Sequence, residues 1–338
     1  MRRALALFAL AVALVCVPLA AFADEVVRLS LSPNLGALPL FVAVDKGYFA
    51  EQHLDVRITK TKQSDSTLLP MMARGDIDIA PAILTPAFFN QYFEGFGLRI
   101  IAPIDSPDVG WNDGMWLVVR QDVWDAKAIR SFGDLRGKEL DNGAVGSPID
   151  FITKEAVFRG GMTVADVKMS ARVHSPLDWV AVLKNKALDA VAVVEPAATL
   201  IESQGLGHKW LSSREIAPWY QASYIATSAT FAAQHRDVVA RFILAYTEAC
   251  TYVGQANGKW TPELIDEVVK WTEMPRDVVA QIPGPGYPGG LAAISTDSVE
   301  RTQALWLNEG LITKSAPVSG LIDASFADAA RKTLRVKP

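Results

Sequence analysis

The sequence predicts an α/β protein made of two similarly built units, on three observations. From Val26 onward, short β-rich apolar runs alternate with stretches of helical periodicity, the pattern of strand–helix–strand units around a parallel sheet rather than of a sandwich or a bundle. The alternation runs through two series, separated by a Pro/Gly/Asp-rich break at residues 103–114. Each series carries an apolar-Asp-apolar triplet that follows a charged turn and opens a strand, Ile77-Asp78-Ile79 in one and Leu188-Asp189-Ala190 in the other. Proline and a further apolar helix come after each triplet, so the two series read as a structural pseudo-repeat.

The elements follow in order. Before the first series, Met1-Arg2-Arg3 leads into a charge-free stretch from Ala4 that ends in Ala21-Phe22-Ala23, ahead of Asp24. A basic start, an apolar run and a small-x-small end are the parts of a cleavable secretory signal, and Pro18 argues against a membrane-spanning anchor. Cys16 follows Val15, where a lipidation signal calls for a small residue, so no lipid anchor is expected. The first series then reads as strand 26–31, helix 38–51, strand 54–59, helix 66–74, strand 77–80, helix 86–93 and strand 98–103. The second begins with a strand at 116–120 and continues as strand 138–144, helix 148–159, strand 167–173, helix 176–186, strand 188–194 and helix 196–203. Beyond it, residues 238–253, 262–271 and 298–307 carry apolar side chains at helical spacing, and Asn308-Glu309-Gly310 is a stop signal. Residues 283–290, Pro-Gly-Pro-Gly-Tyr-Pro-Gly-Gly, are too rich in Pro and Gly for regular structure and read as a surface connection, with a lid over a site as the alternative.

Bulk properties narrow the function. Loss of residues 1–23 lowers the basic count from 33 to 31 against 37 acidic residues, a net charge of −6 that makes nucleic acid an unsuitable partner. Cys250 is then the one remaining cysteine, set in an apolar helical pattern, so no internal disulfide forms and a buried, inert thiol is expected. The remaining 315 residues exceed one hydrophobic core, and no second long apolar run follows, so the mature chain is expected not to span a membrane.

Several segments together resemble a known family. These are Leu29-Ser30-Leu31-Ser32-Pro33-Asn34, Pro39-Leu40-Phe41-Val42-Ala43-Val44-Asp45-Lys46-Gly47-Tyr48-Phe49 and Leu54-Asp55-Val56, then Ala73-Arg74-Gly75-Asp76-Ile77-Asp78-Ile79-Ala80, Phe132-Gly133-Asp134-Leu135-Arg136-Gly137-Lys138, Gly146-Ser147, and Ala187-Leu188-Asp189-Ala190 with Glu195-Pro196. Their order resembles the periplasmic substrate-binding proteins of ABC importers for sulfonates, nitrate, taurine and thiamine-pyrimidine precursors. The resemblance, over about residues 26–255, implies a two-lobed periplasmic binding protein fold (type II), with a ligand cleft between lobes joined by two hinge crossings near residues 103–116 and 217–224. It implies a signal peptide at 1–23, a first lobe of 24–110 plus 220–338 with the C-terminal helices, and a second lobe of 111–219. It also implies a periplasmic, monomeric protein whose partners are a small-molecule ligand and an importer permease, with no cofactor and no metal.

Independently of the resemblance, ligands of open α/β sheets sit beyond the carboxyl ends of the strands, where helix N-termini present free N–H groups. That rule selects Ser32, Asn34 and Leu35, Ser64 with Asp65, and Leu84 and Thr85 in the first unit. In the second it selects Gly146, Ser147, Ile149 and Glu195. Ser147 before Pro148, with Asp150 close behind, is a helix cap that can also face a ligand oxygen. Glu195 is either bonded to neighbouring N–H groups or an acceptor for a ligand amine, amide or hydroxyl. Trp111, Trp116, Tyr220 and Tyr224 lie in the crossings and could wall an organic ligand or pack the core. These loops contain no arginine, so an anion there would depend on hydroxyls and helix N-termini, and a small organic ligand, bearing a carboxylate or sulfonate or resembling a pyrimidine, is favoured. The sequence shows no Gly-x-Ser-x-Gly elbow, His-Glu-x-x-His, phosphate loop or Cys cluster, and His174 alone of four histidines reads as able to reach a cleft. The expectation is a binding protein and not an enzyme. A ligand sensor or scavenger of the same fold, and an enzyme of the same fold, are the alternatives.

Overall fold

The computed structural model describes residues 24–61, 65–106, 114–170 and 176–336. Ten strands lie among them: β1 (Glu25–Leu31), β2 (Leu54–Lys60), β3 (Ile79–Ile83), β4 (Leu98–Pro103), β5 (Met115–Arg120), β6 (Glu139–Asp141), β7 (Lys168–Ser170), β8 (Ala190–Val194), β9 (Gly207–Ser212) and β10 (Ser223–Ser228). They form two five-stranded sheets, ordered β2-β1-β3-β10-β4 and β7-β6-β8-β5-β9. Strand order passes from the first sheet to the second between β4 and β5, and returns between β9 and β10. This is the two-lobed fold.

The two orders are the same order. Position for position, β1, β2, β3, β4 and β10 correspond to β6, β7, β8, β9 and β5. In both sheets the strand next to the edge is antiparallel to its neighbours, because it arrives from the opposite lobe, and its pairing with the edge strand contains a register shift. The expectation of purely parallel sheets is corrected at these two strands. The repeated aspartates do the same work in each lobe. The Asp78 carboxylate accepts the Arg28 N–H at 2.7 Å while the Asp78 N–H donates to the Arg28 carbonyl at 2.9 Å. Likewise, Asp189 accepts from the Glu139 N–H at 3.0 Å and donates to the Glu139 carbonyl at 2.8 Å. In both pairs the partners are 50 residues apart, so the short sequence match marks one construction used twice.

Several predicted elements differ from those observed, each for a local reason. The helix expected at 38–51 is two helices, Leu38–Asp45 and Tyr48–Glu51, because Gly47 between them takes φ 79°, which glycine adopts without strain. The helix expected at 86–93 stops at Gln91 and gives way to a wider π turn, Tyr92–Phe96. The strand expected at 138–144 shrinks to β6, since the Asp141 carboxylate accepts the Gly143 N–H at 2.6 Å and turns the chain. Strands β9 and β10 had not been resolved from the sequence.

The first lobe is built around helix Arg236–Gly254. Its Val239, Phe242, Ile243, Tyr246, Ala249, Cys250 and Val253 are fully buried, at the spacing of one helical face. They pack on helix Leu38–Asp45 and on Phe49, whose ring stacks on Phe242 at 4.6 Å. Cys250 is free and buried, and burial pushes its thiol pKa up, away from reactive thiolate.

The two crossings are bound side by side. The Asp105 carboxylate accepts the N–H groups of Ala222 and Ser223 at 3.0 and 2.9 Å. Gln221, fully buried, donates through Nε2 to the carbonyls of Asp105 and Ala293 at 2.7 and 3.1 Å, and its Oε1 accepts the Ser295 N–H at 2.7 Å. One amide therefore joins both crossings to the start of helix Thr296–Asn308. Replacing it with an apolar group of similar size strands two carbonyls and an N–H. Gln221→Leu should lower the stability of unfolding by about 2–4 kcal/mol, read from urea denaturation, and a loss under about 0.5 kcal/mol would show that the clamp is dispensable.

Candidate functional site

A cavity of about 530 Å³ lies between the lobes, within the range of small-molecule sites. From the first lobe, Asn34 and Leu35 reach it beyond the end of β1, Ile83 at the end of β3 and Ile104 just beyond β4. The second lobe contributes Ser147, Pro148 and Ile149 at the start of helix Pro148–Arg159, Val194 and Glu195 at the end of β8, and Ser213 and Arg214 after β9.

Ser147 is the cap of its helix, with Oγ accepting the Asp150 N–H at 3.2 Å and Pro148 in the first turn. The loop before it is held from below by Asp150, which is fully buried. That carboxylate accepts from the Gly146 N–H at 2.8 Å, Asn142 Nδ2 at 2.5 Å and Lys154 Nζ at 2.8 Å. Lys154 also donates to Glu309 at 2.7 Å, on the C-terminal segment. Burial works against the Lys154 ammonium, yet the two carboxylates outweigh it and raise its pKa above the ordinary lysine value.

Glu195 presents a different situation. Its side chain is 1% exposed, and Oε2 accepts the Thr199 N–H at 3.0 Å. Oε1 has no hydrogen-bond donor among the described residues, with the Lys209 ammonium standing 3.6 Å away. Burial raises the Glu195 pKa, against the lowering effects of Thr199 and Lys209. After the edge strand β9, Arg214 rides on the one-turn helix Ser213–Ile216, fixed by a capping box in which Ser212 accepts the Glu215 N–H and Glu215 accepts the Ser212 N–H. The second lobe thus places two charged residues, Glu195 and Arg214, on the cavity wall.

The C-terminal part of the chain supplies a third wall. Ile282, the segment Pro283-Gly284-Pro285-Gly286-Tyr287 and Trp260 all line the cavity, so the reading of 283–290 as a surface connection is corrected. Trp260 Nε1 donates to the Ile282 carbonyl at 2.9 Å. A side chain on Gly284 would meet the Gly258 carbonyl oxygen, which tolerates glycine alone.

The NMT1-like family profile matches residues 21–271. The chain belongs to the NMT1-like family. A relative from Bacillus subtilis (strain 168), named "Putative binding protein YtlA", is 25% identical over 228 residues, which make up 65% of this chain and 64% of YtlA, so the chain spans under two thirds of that relative. Among solved structures, the periplasmic aliphatic sulphonate binding protein SsuA from Escherichia coli superposes with a TM-score of 0.70 at 16% identity, over 87% of this chain and 96% of SsuA. The periplasmic nitrate-binding protein NrtA from Synechocystis PCC 6803 gives 0.71 at 17% identity, over 93% and 90%. The desulfurization enzyme DSZB gives 0.65 at 15% identity, over 92% and 100%. At these identities the likeness is one of fold.

In this NMT1-like chain, six of the residues singled out from sequence, Asn34, Leu35, Ser147, Ile149, Glu195 and Tyr220, stand on the cavity wall. Six others do not line it. Leu84 is 2% exposed in the core, with its carbonyl under the Trp306 indole N–H, and Thr85 caps helix Pro86–Gln91 by accepting the Phe88 N–H at 3.3 Å. Ser32 lies off the wall, and Gly146 stands behind Ser147, against Pro86 of the first lobe. Tyr224 is fully buried, donating to the Gln221 carbonyl, and Trp116 packs against Lys209 instead of the cavity. Ser64, Trp111, His174 and residues 1–23 lie outside the described residues. Sequence reasoning missed Arg214, Trp260 and Tyr287. The capping box Ser212-Ser213-Arg214-Glu215 was a readable signal for the first, whereas nothing local marks the other two.

Two measurements probe this geometry. Gly146 has φ 79°, and a Cβ there would sit 2.5 Å from the Pro86 ring. Gly146→Ala should destabilise through both effects, and adding Pro86→Ala should recover the steric part while leaving a left-handed backbone cost of about 1–2 kcal/mol. Simple additivity of the two changes would disprove the contact. Because burial raises the Glu195 pKa, the native state holds that proton more tightly than the unfolded chain, and its contribution is lost as pH rises through the raised value. Glu195→Gln should therefore gain stability relative to wild type as pH rises above the ordinary glutamate range of about 4.3; a difference that does not change with pH would contradict the burial argument.

Proposed function

We propose that this chain is an exported solute-binding protein, which captures a small organic ligand between its lobes and hands it to the permease of an ABC importer. The carrying observation is a single cavity walled by both lobes, with Asn34 and Leu35 on one side and Ser147, Ile149 and Glu195 on the other, across a pair of bonded crossings. A ligand that touches both walls binds the closed arrangement better than the open one and so shifts the population toward closure. Lobes of residues 24–110 with 220–338, and of 111–219, follow from this reading, as does a signal peptide at 1–23 and a monomer in the periplasm.

The printed descriptions of SsuA and NrtA as periplasmic binding proteins support it, and no helix among the described residues is long and apolar enough to cross a membrane. DSZB demonstrates that an enzyme can share the fold. Glu195 Oε1 is the acceptor we assign to a ligand N–H or O–H, with Ser147, Asn34 and Tyr220 as further contacts.

Native mass spectrometry of protein recovered from the periplasm is the decisive experiment. The expected result is a chain starting at or near Asp24 that releases one small molecule per protein unchanged. With that molecule in hand, Asn34→Ala should weaken binding by about 0.5–1.5 kcal/mol, and Glu195→Ala by up to about 3 kcal/mol if the bonded group is charged. Conversion of the ligand to a product would overturn the proposal in favour of an enzyme.

A further inference from the structure

Helix Thr296–Asn308 is tied to the first lobe by the chain that follows it. Asn90 Nδ2 donates to the Leu311 carbonyl at 3.2 Å, the Lys314 ammonium sits 5.0 Å over the Phe93 ring, and the Asp323 N–H donates to the Ile100 carbonyl of β4 at 2.9 Å. The side chains of the helix nevertheless reach the second lobe. The Arg301 guanidinium lies 4.8 Å over the Trp219 ring, and the Trp306 ring meets Phe151 edge to face at 6.2 Å. Just past the helix end, Glu309 accepts from Lys154 Nζ at 2.7 Å. Phe151 and Lys154 share a face of helix Pro148–Arg159 by their i, i+3 spacing, and Trp306 and Glu309 have the same spacing on the other side of the contact.

Parting the lobes here has a cost. Trp306 and Phe151 are both fully buried, and drawing them apart returns ring surface to water. The Trp306 indole N–H donates to the Leu84 carbonyl at 3.4 Å, so the ring is held by the first lobe while it faces the second. The Lys154 side chain is 10% exposed; on separation it would keep Asp150, one turn away on its own helix, and lose Glu309. Asp150 in turn accepts the Gly146 N–H, beside Ser147 on the cavity wall, and Gly146 packs against Pro86 of the first lobe. One chain of contacts therefore runs from the cavity loop through Asp150 and Lys154 to the C-terminal segment. Phe151, Lys154, Trp306 and Glu309 themselves lie off the cavity wall, so they bear on lobe placement and touch no bound molecule.

We infer that helix Thr296–Asn308 is an interlobe latch: Trp306 on Phe151 and Glu309 on Lys154 hold the second lobe in the arrangement seen here, and the lobes separate only as those contacts part. The two crossings fix where the lobes are joined, and the latch biases how far apart they stand, since contacts made in one arrangement and absent from the other shift the population between them. The inference rests on the contact between lobes and does not depend on what the cavity binds.

The test uses the protein dialysed free of small molecules, with spin labels at two exposed positions, Glu94→Cys on the first lobe and Lys184→Cys on the second, Cys250 being buried from the reagent. Glu309→Lys sets two ammonium groups against each other. A lysine at a helix C-terminus favours the helix itself, so the change acts on the lobe contact. The interlobe distance should shift and broaden, and the radius of gyration from small-angle scattering should increase. Glu309→Gln should give a smaller change of the same kind. Glu300→Lys, an exposed site on the same helix with the same change of charge, should alter neither quantity. Circular dichroism checks the folding of each variant. Wild-type distance and radius in folded Glu309→Lys, or in Glu309→Gln where the first does not fold, would overturn the latch, as would an equal change in Glu300→Lys.

Discussion

Everything the cleft does depends on the pairing of the two crossings through Asp105 and Gln221. Two chain segments linking independent lobes would otherwise be free to separate or shear, and each carries backbone groups that burial leaves in need of partners. Asp105 satisfies two N–H groups of the returning crossing, and Gln221 satisfies carbonyls on both sides and an N–H of the C-terminal segment. The result is a joint whose registers cannot slip without stranding several buried polar atoms.

Around this joint the molecule is one design used twice. The matching strand orders, the matching antiparallel strand and the reciprocal bonding of Asp78 with Arg28 and of Asp189 with Glu139 leave little that separates the lobes architecturally. What differs is the loops at the carboxyl ends of the strands and the C-terminal addition. The second lobe brings charge, Glu195 and Arg214, while the addition brings the Trp260 ring and the Pro/Gly strap. The repeated construction supplies a symmetric frame, and the cavity lining differs between its parts.

The Asp150 network shows how the second-lobe loop is kept ready. A fully buried carboxylate would be costly alone, but three donors and the Lys154–Glu309 continuation compensate it. Glu195 lacks that completeness: Oε2 accepts the Thr199 N–H, while Oε1, also buried, has no hydrogen-bond donor among the described residues and has the Lys209 ammonium 3.6 Å away.

The amino-acid sequence by itself determined what depends on near neighbours. The alternation of strands and helices, the Asp-marked repeat, the cap at Ser147 ahead of Pro148 and the buried face of helix Arg236–Gly254 are all written in residues a few positions apart. For the same reason part of the candidate wall, Asn34 and Leu35, Ser147 and Ile149, Glu195 and Tyr220, was legible: it lies where strands end or where the crossings run. Tertiary structure alone decided the rest. That β10 inserts between β3 and β4, that Leu84 turns into the core, and that Trp260 and residues 283–287 come round to the cleft are contacts across large stretches of chain. A Pro/Gly run looks the same locally whether it crosses open surface or, as here, is pressed against Gly258 to wall the cavity. The difference lies in what the fold places beside it.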